Sequence, residues 1–278
     1  MTLTNIRIRY LLVAATMLAL PGCNQSKLEE PVITSTQISG SEWQGLEKKR
    51  VVFGHQSVGW NILNGVERLA ARDRVNLDIH EQRMAPAIKG ISHFSIGKNG
   101  DPLSKIDDFA AAIDAGAAQG AEVALMKLCY ADFNADTDAS QVANAYIASL
   151  ESLAQRHPDI SFAAVTVPLT TVQTGPKAWI KGLIGKQPTG YLDNVKRAEF
   201  NKLLRERYLS TGRLFDLARV EAGSAGKFCR VEADGQMVEV LCPELTTDGG
   251  HLNERGQEQV ATAFLDFVSS VTAKQVSR

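Results

Sequence analysis

Apolar and polar positions switch back and forth between two periods along this chain, and the switching predicts a regular succession of strands and helices. RVVFG (50–54) reads as a short buried strand, and the next segment sets Ile62, Val66, Leu69 and Ala70 on one helical face. VNLDIH (75–80) predicts a second strand, and residues 101–116 predict a helix with Ile106, Phe109, Ala110 and Ile113 inward. AEVALMKLCY (121–130) predicts a third strand, followed by a helix over 139–156 with Val142, Tyr146, Leu150 and Leu153 inward. ISFAAVTVPL (160–169) predicts a fourth strand, and a helix over about 190–208 leads to a short fifth strand, LFDLARV (214–220). A last helix starts after Asn253, its expected N-cap, and carries Val260, Phe264, Phe267 and Val271 inward. Such alternation places helices on both faces of a parallel sheet. The expected fold class is α/β, a three-layer α/β/α sandwich with a mostly parallel sheet of about five strands. In open sheets of this kind ligands bind beyond the C-terminal ends of the strands.

The first 22 residues stand outside this pattern. MTLTNIRIR carries Arg7 and Arg9 with no acid, an apolar run of 11 residues (10–20) follows, and small residues precede a cysteine. These are the parts of a secretory signal, and the run is shorter than the roughly 20 residues of a membrane span. Leu20-Pro21-Gly22-Cys23 resembles the lipobox of bacterial lipoproteins. That resemblance implies lipidation of Cys23 and an exported protein anchored to the cell envelope through an N-terminal lipid. Residues 23–45 are polar, with Pro31 and Gly40 among several Ser and Thr, and are expected to be a tether; 46–274 are expected to form one domain. The leader carries two of the basic residues and no acid, so its removal moves the formal net charge from −1 to −3. That balance gives nucleic acid no electrostatic foothold.

Three cysteines remain. Cys129 sits in the apolar run VALMKLCY and reads as a buried small hydrophobe. Cys229 and Cys242 bound FCRVEADGQMVEVLC, which alternates like a β-hairpin. A Gly235-Gln236 turn places them directly opposite as a non-hydrogen-bonded pair, about 4.5 Å apart, which suits a disulfide. An Asp234-Gly235 turn shifts the register by two and leaves them diagonal. Export permits the bond, and a Cys229–Cys242 disulfide is expected.

Chemistry enters with VVFGHQSVGWNIL (51–63), an apolar strand that stops at Ser57 between Gly54 and Gly59 and runs into a helix. A serine hydroxyl is a poor nucleophile until a base takes its proton and a carboxylate steadies that base. TTDGGHLNERG supplies both from one short loop before the last helix, with Asp248 three residues ahead of His251. Together these stretches resemble the SGNH (GDSL-like) hydrolase superfamily, in which the nucleophile follows the first strand and an Asp-x-x-His precedes the final helix. Here His55-Gln56-Ser57 stands where that superfamily has Gly-Asp-Ser, which is similar to a divergent branch with a His-x-Ser-x-Gly start. The resemblance implies an SGNH-like three-layer fold, also described as flavodoxin-like, and catalysis by Ser57, His251 and Asp248 without a cofactor or metal.

An oxyanion hole is expected from the Ser57 N–H at the helix start. The resemblance implies two further donors: a glycine N–H after the second strand and an asparagine side chain after the third. Gly100, in SIGKNGDPLSKI, is the expected glycine and Gly97 its alternative; where the superfamily has its asparagine the chain reads Cys129-Tyr130-Ala131-Asp132. Asn99, Tyr130 and Asn134 are the candidate substitutes.

His55, Asp132 and Trp179 are candidate substrate contacts. The remaining histidines, His80, His93 and His157, make no metal-ligand spacing, and no phosphate-binding glycine loop is present. GHQSVG also misses the Gly-x-Ser-x-Gly elbow of α/β-hydrolases by one residue. The long stretch 171–194 reads either as a lid or glycan-contacting loop, or as an amphipathic helix packing Trp179, Ile180 and Leu183 onto the domain. The expected function is a serine esterase acting on a small-molecule or carbohydrate ester. An O-acyltransferase with the same residues, or an envelope lipoprotein that only binds glycan or a partner, is the alternative.

Overall fold

A computed structural model describes residues 37–83, 87–184, 186–233 and 236–271. The expected leader and Cys23 lie outside them. Six strands form the central sheet: β1 (Arg50–His55), β2 (Ile79–Glu81), β3 (Gly90–Ser95), β4 (Val123–Met126), β5 (Ser161–Val165) and β6 (Leu214–Phe215). Their order is β2-β3-β1-β4-β5-β6, and every neighbouring pair is parallel.

The period of two along each strand divides the core. Val51 and Phe53 of β1, Val123 and Leu125 of β4, and Ala163 and Val165 of β5 join one cluster; Val52, Ala124, Met126, Phe162 and Ala164 join the other. The first cluster is covered by α1 (Gly40–Lys48), α2 (Val58–Asp73), α7 (Leu217–Glu221) and α8 (Glu254–Ser270), the second by α3 (Pro102–Ala112), α4 (Ala139–Arg156) and α6 (Tyr191–Tyr208). The expected three-layer sandwich is therefore the fold, with Asn253 capping α8 through Gly256 N–H at 3.0 Å. Ile180 and Leu183 of α5 (Pro176–Leu183) belong to neither cluster.

Four expectations need correction. The sheet has six strands, because β3 (GISHFS) does not look apolar: Ser92 and His93 are buried there, Ser92 Oγ accepting from Gln82 Nε2 at 2.9 Å and His93 pairing with His55. The expected strand over 75–80 is reduced to the edge strand β2. LFDLARV is only strand at 214–215, since the Asp216 side chain caps α7 by accepting from Arg219 N–H. Part of the expected tether is helix α1: Ser39 and Glu42 form a capping box, and Trp43 and Leu46, three apart, are buried.

The hairpin β9 (Arg230–Ala233) and β10 (Gln236–Glu239) follows β7 (Gly223–Ser224) and β8 (Lys227–Phe228). Gln236 pairs with Ala233, so the register is the diagonal one; residues 234–235 lie outside the described residues. Cys229 and Cys242 are nevertheless bonded, with Cα atoms 5.3 Å apart. Beyond the ladder, Cys229 N–H donates to Ala222 carbonyl at 2.7 Å and Cys242 N–H to Glu221 carbonyl at 3.0 Å. The end of α7, rather than the hairpin, brings the two cysteines together.

Candidate active site

Ser57 occupies the junction of β1 and α2. Gln56 Nε2 donates to the carbonyls of Ile96 and Gly97, at 2.5 and 2.6 Å, tying this turn to the loop after β3. Ser57 itself adopts φ 51°, ψ −110°, which a residue with a Cβ rarely does. Its hydroxyl makes no helix-capping bond; Oγ stands 2.8 Å from His251 Nε2 instead. The hydroxyl is thus not spent on the ordinary work of an N-terminal serine. Gly59, two residues on, is required by packing, since a Cβ there would lie 2.3 Å from the ring of His55.

The loop before α8 presents the other two side chains. Asp248 Oδ1 accepts the N–H groups of Gly250 and His251 at 2.9 and 2.8 Å, while Oδ2 meets His251 Nδ1 at 2.7 Å. Thr246 Oγ1 donates to the His251 carbonyl at 2.6 Å, and Asn61 of α2 accepts the Leu252 N–H at 3.1 Å. The carboxylate at Nδ1 assigns the hydrogen to that nitrogen and leaves the Nε2 lone pair for the Ser57 O–H. His251, chiefly, and the two backbone N–H groups hold the Asp248 carboxyl well below the usual carboxylate range. The structure thus joins Ser57, His251 and Asp248 in one hydrogen-bonded chain, open to solvent: the His251 side chain is 46% exposed and that of Asp248 55%.

Several other expected residues have different work. Gly100 N–H does not face the site freely; it donates to Asp132 Oδ1 at 2.9 Å. Gly97 N–H is likewise bound, to Asp108 Oδ2 at 2.8 Å. Asp132 is no substrate contact either: its side chain is fully buried, both oxygens holding Lys105 Nζ (2.8 and 2.7 Å), with Oδ2 also accepting Cys129 N–H. Asn134 folds back on its own turn, accepting Asp136 N–H. Asn99 Oδ1 accepts from Lys105 Nζ at 2.8 Å, which leaves its amide hydrogens as donors on an exposed side chain. Among the described residues no acceptor engages the Ser57 N–H.

His55 also corrects an expectation. It is fully buried, stacked on Phe53, with Nε2 3.1 Å from His93 Nδ1. Burial first, then the charge of Lys127 and the neighbouring His93, push it down to about 2, so the ring is neutral. It is a packing element of the Ser57 turn. Trp179 lies on α5, and its side chain is outside the described residues. Ile180 and Leu183 of that helix are 53% and 67% exposed, so they do not pack onto the domain. The segment does start beside the site, Thr171 N–H donating to the Gly249 carbonyl at 2.8 Å.

Tyr130 reaches His251, its hydroxyl 3.2 Å from Nε2. Buried Arg197 fixes the loop that carries it, donating to the Tyr130 carbonyl at 2.9 and 3.1 Å. Sequence reasoning missed Lys105, Arg197 and a third buried ionisable side chain, Glu221. Lys105 had a legible signal: it stands four residues before Phe109 and eight before Ile113, on the inward face of its helix.

No family model matches this chain, and no curated protein matches it. Solved structures with a similar fold include the lipase/acylhydrolase from Enterococcus faecalis, at 14% identity and TM-score 0.45, covering 80% of this chain and 95% of that one. A GDSL-like lipase from Bacteroides thetaiotaomicron is similar at 9% identity and TM-score 0.44, covering 84% and 92%. The periplasmic domain of a lipopolysaccharide acetyltransferase from Salmonella ser. Paratyphi A is similar at 14% identity and TM-score 0.44, covering 84% and 90%.

Proposed function

We propose that this protein is a serine esterase of the SGNH type, cleaving small acyl esters through an acyl-enzyme on Ser57. The observation that carries the reading is the chain of contacts from Ser57 Oγ to His251 Nε2 (2.8 Å) and from His251 Nδ1 to Asp248 (2.7 Å). His251 takes the Ser57 proton as Oγ attacks the ester carbonyl, then delivers it to the departing alcohol; Asp248 orients the ring and stabilises its cation. The Ser57 N–H and the Asn99 amide are the proposed oxyanion donors, the latter aimed by Lys105. Water then attacks the acyl-enzyme, with His251 again as base. Nearly half of the His251 side chain is exposed, and this access of water favours hydrolysis over transfer to a second alcohol.

The proposed substrates are acetyl and similar esters on envelope or extracellular carbohydrate, reached by an exported, lipid-anchored protein. This part rests on the leader and on Cys23. Among the described residues no helix is long and apolar enough to cross a membrane.

The test is labelling of the purified protein by a fluorophosphonate, with turnover of aryl acetates, in wild type and in Ser57→Ala and His251→Ala. Labelling and turnover lost in both variants are expected. A folded wild-type protein that neither takes the label nor turns over any acetate ends the esterase reading in favour of a binding protein.

A further inference from the structure

Two of the polar groups around His251 have been assigned work, and a third has not. Nδ1 gives its hydrogen to Asp248 and Nε2 receives that of Ser57, yet the Tyr130 hydroxyl lies nearly equidistant from both nitrogens, 3.2 Å from Nε2 and 3.4 Å from Nδ1. The two rings meet edge to face, centroids 5.5 Å apart at 74°. This approach is built in from two sides. Arg197 fixes the backbone of Tyr130 through its carbonyl, and Gly250 leaves room for the phenol, since a Cβ at Gly250 would stand 2.9 Å from Tyr130 Cζ.

The position says which part of the reaction the hydroxyl can serve. Nε2 is the atom that takes the proton from Ser57 Oγ and returns it to the oxygen that leaves. That oxygen must therefore come within hydrogen-bond distance of Nε2, where a hydroxyl 3.2 Å from the same nitrogen can reach it. With the Ser57 N–H as its proposed donor, the oxyanion would point toward that N–H rather than toward the imidazole. Tyr130 is consequently on the leaving-group side of the tetrahedral carbon.

Resting on the esterase reading, we propose that Tyr130 is a catalytic residue whose hydroxyl donates a hydrogen bond to the oxygen that His251 protonates. In acylation this is the departing alcohol oxygen; in deacylation it is Ser57 Oγ. The balance of acylation is simple. The Oγ–carbon bond forms, the carbon–oxygen bond to the alcohol breaks, and the Ser57 proton passes through Nε2 to the alcohol. Tyr130 keeps its own hydrogen throughout. Its phenol is suited to that, because burial and the nearby Asp248 charge outweigh the lowering influence of the Ser57 hydroxyl and push its acidity range upward. Its oxygen also faces the ring while His251 carries the positive charge.

The test compares wild type with Tyr130→Phe on a series of acetate esters whose leaving alcohols run from acidic nitrophenols to simple alkanols. A hydrogen bond to the leaving oxygen matters most where that oxygen holds the most charge. We expect kcat/KM to fall about tenfold on the nitrophenyl ester and about a hundredfold or more on the alkyl ester. Gly250→Ala, whose methyl would press the phenol off His251, is expected to show the same bias. A uniform loss across the series in both variants overturns the proposal and puts Tyr130 among the oxyanion donors; no loss in either overturns it outright. Each of these leaves the esterase reading intact. That reading falls separately, and this one with it, only if the wild type turns over none of the series.

Discussion

Asp132 grips Lys105 with both carboxylate oxygens, at 2.8 and 2.7 Å, in a place where neither side chain meets solvent. The pair clamps two loops at the sheet edge. From Asp132 the bonds run to Gly100 and Cys129 N–H, and from Lys105 to Asn99. Removing one partner strands the other charge in a dry place. Lys105→Met is therefore expected to lower unfolding free energy by roughly 3–5 kcal/mol, and Lys105→Met with Asp132→Leu to recover a good part of it. Urea unfolding of the two variants measures this; a single variant as stable as wild type would mean the pair does no clamping.

Ser57 holds φ at 51°, and a side chain in such a region costs about 1–3 kcal/mol. Glycine adopts that backbone freely but gives up about 0.5–1 kcal/mol of chain entropy. Ser57→Gly should thus abolish turnover while raising stability by about 1 kcal/mol. Thermal melts decide it: a lower Tm for the variant would show that the turn is relaxed and the hydroxyl's bonds hold the protein up.

Glu221 is buried, Oε2 accepting the Leu169 N–H at 2.7 Å and Oε1 unpartnered among the described residues. Burial pushes its carboxyl up to about 8, against the lowering pull of that N–H and of the Lys127 and Arg197 charges. The acid thus binds its proton more tightly folded than unfolded. Its contribution is full below the ordinary value of 4.5 and is lost as pH rises through about 8. The loss is on the order of 5 kcal/mol at most. Glu221→Gln should match wild type near pH 4.5 and exceed it by several kcal/mol at pH 9. Parallel stability–pH curves for the two proteins would show that Glu221 does not titrate this way.

The Cys229–Cys242 bond closes a loop with a sequence separation of 13 at the base of the hairpin, where backbone hydrogen bonds from both cysteines tie that base to the end of α7. Loops of that size give a cross-link worth about 3 kcal/mol. The double variant Cys229→Ser/Cys242→Ser should lose about that much in chemical unfolding and keep its turnover of aryl acetates, because the bond lies outside the Ser57–His251–Asp248 chain. Loss of turnover in a folded variant would contradict that separation.

The order of strands and helices was readable because each main-sheet strand buried on both faces leaves an apolar run and each helix an apolar stripe. Where polar side chains are buried, the reading failed. β3 leaves no apolar run because Ser92 and His93 interrupt it, and no local pattern shows that Gly100 and Asp132 are partners of each other. A chain of letters does not show which buried charge finds which partner.

By itself, then, the sequence determined the layered α/β fold and put the serine, aspartate and histidine at the right edge of the sheet. Those follow from local periodicity and from position in the order of elements. Only the tertiary structure decided that Ser57 Oγ stands 2.8 Å from His251, that Tyr130 touches the same ring, and that Gly97 and Gly100 have their N–H groups already bound. Those facts depend on distances between residues far apart in the chain, and such distances are set by packing the whole domain and satisfying its buried polar groups together.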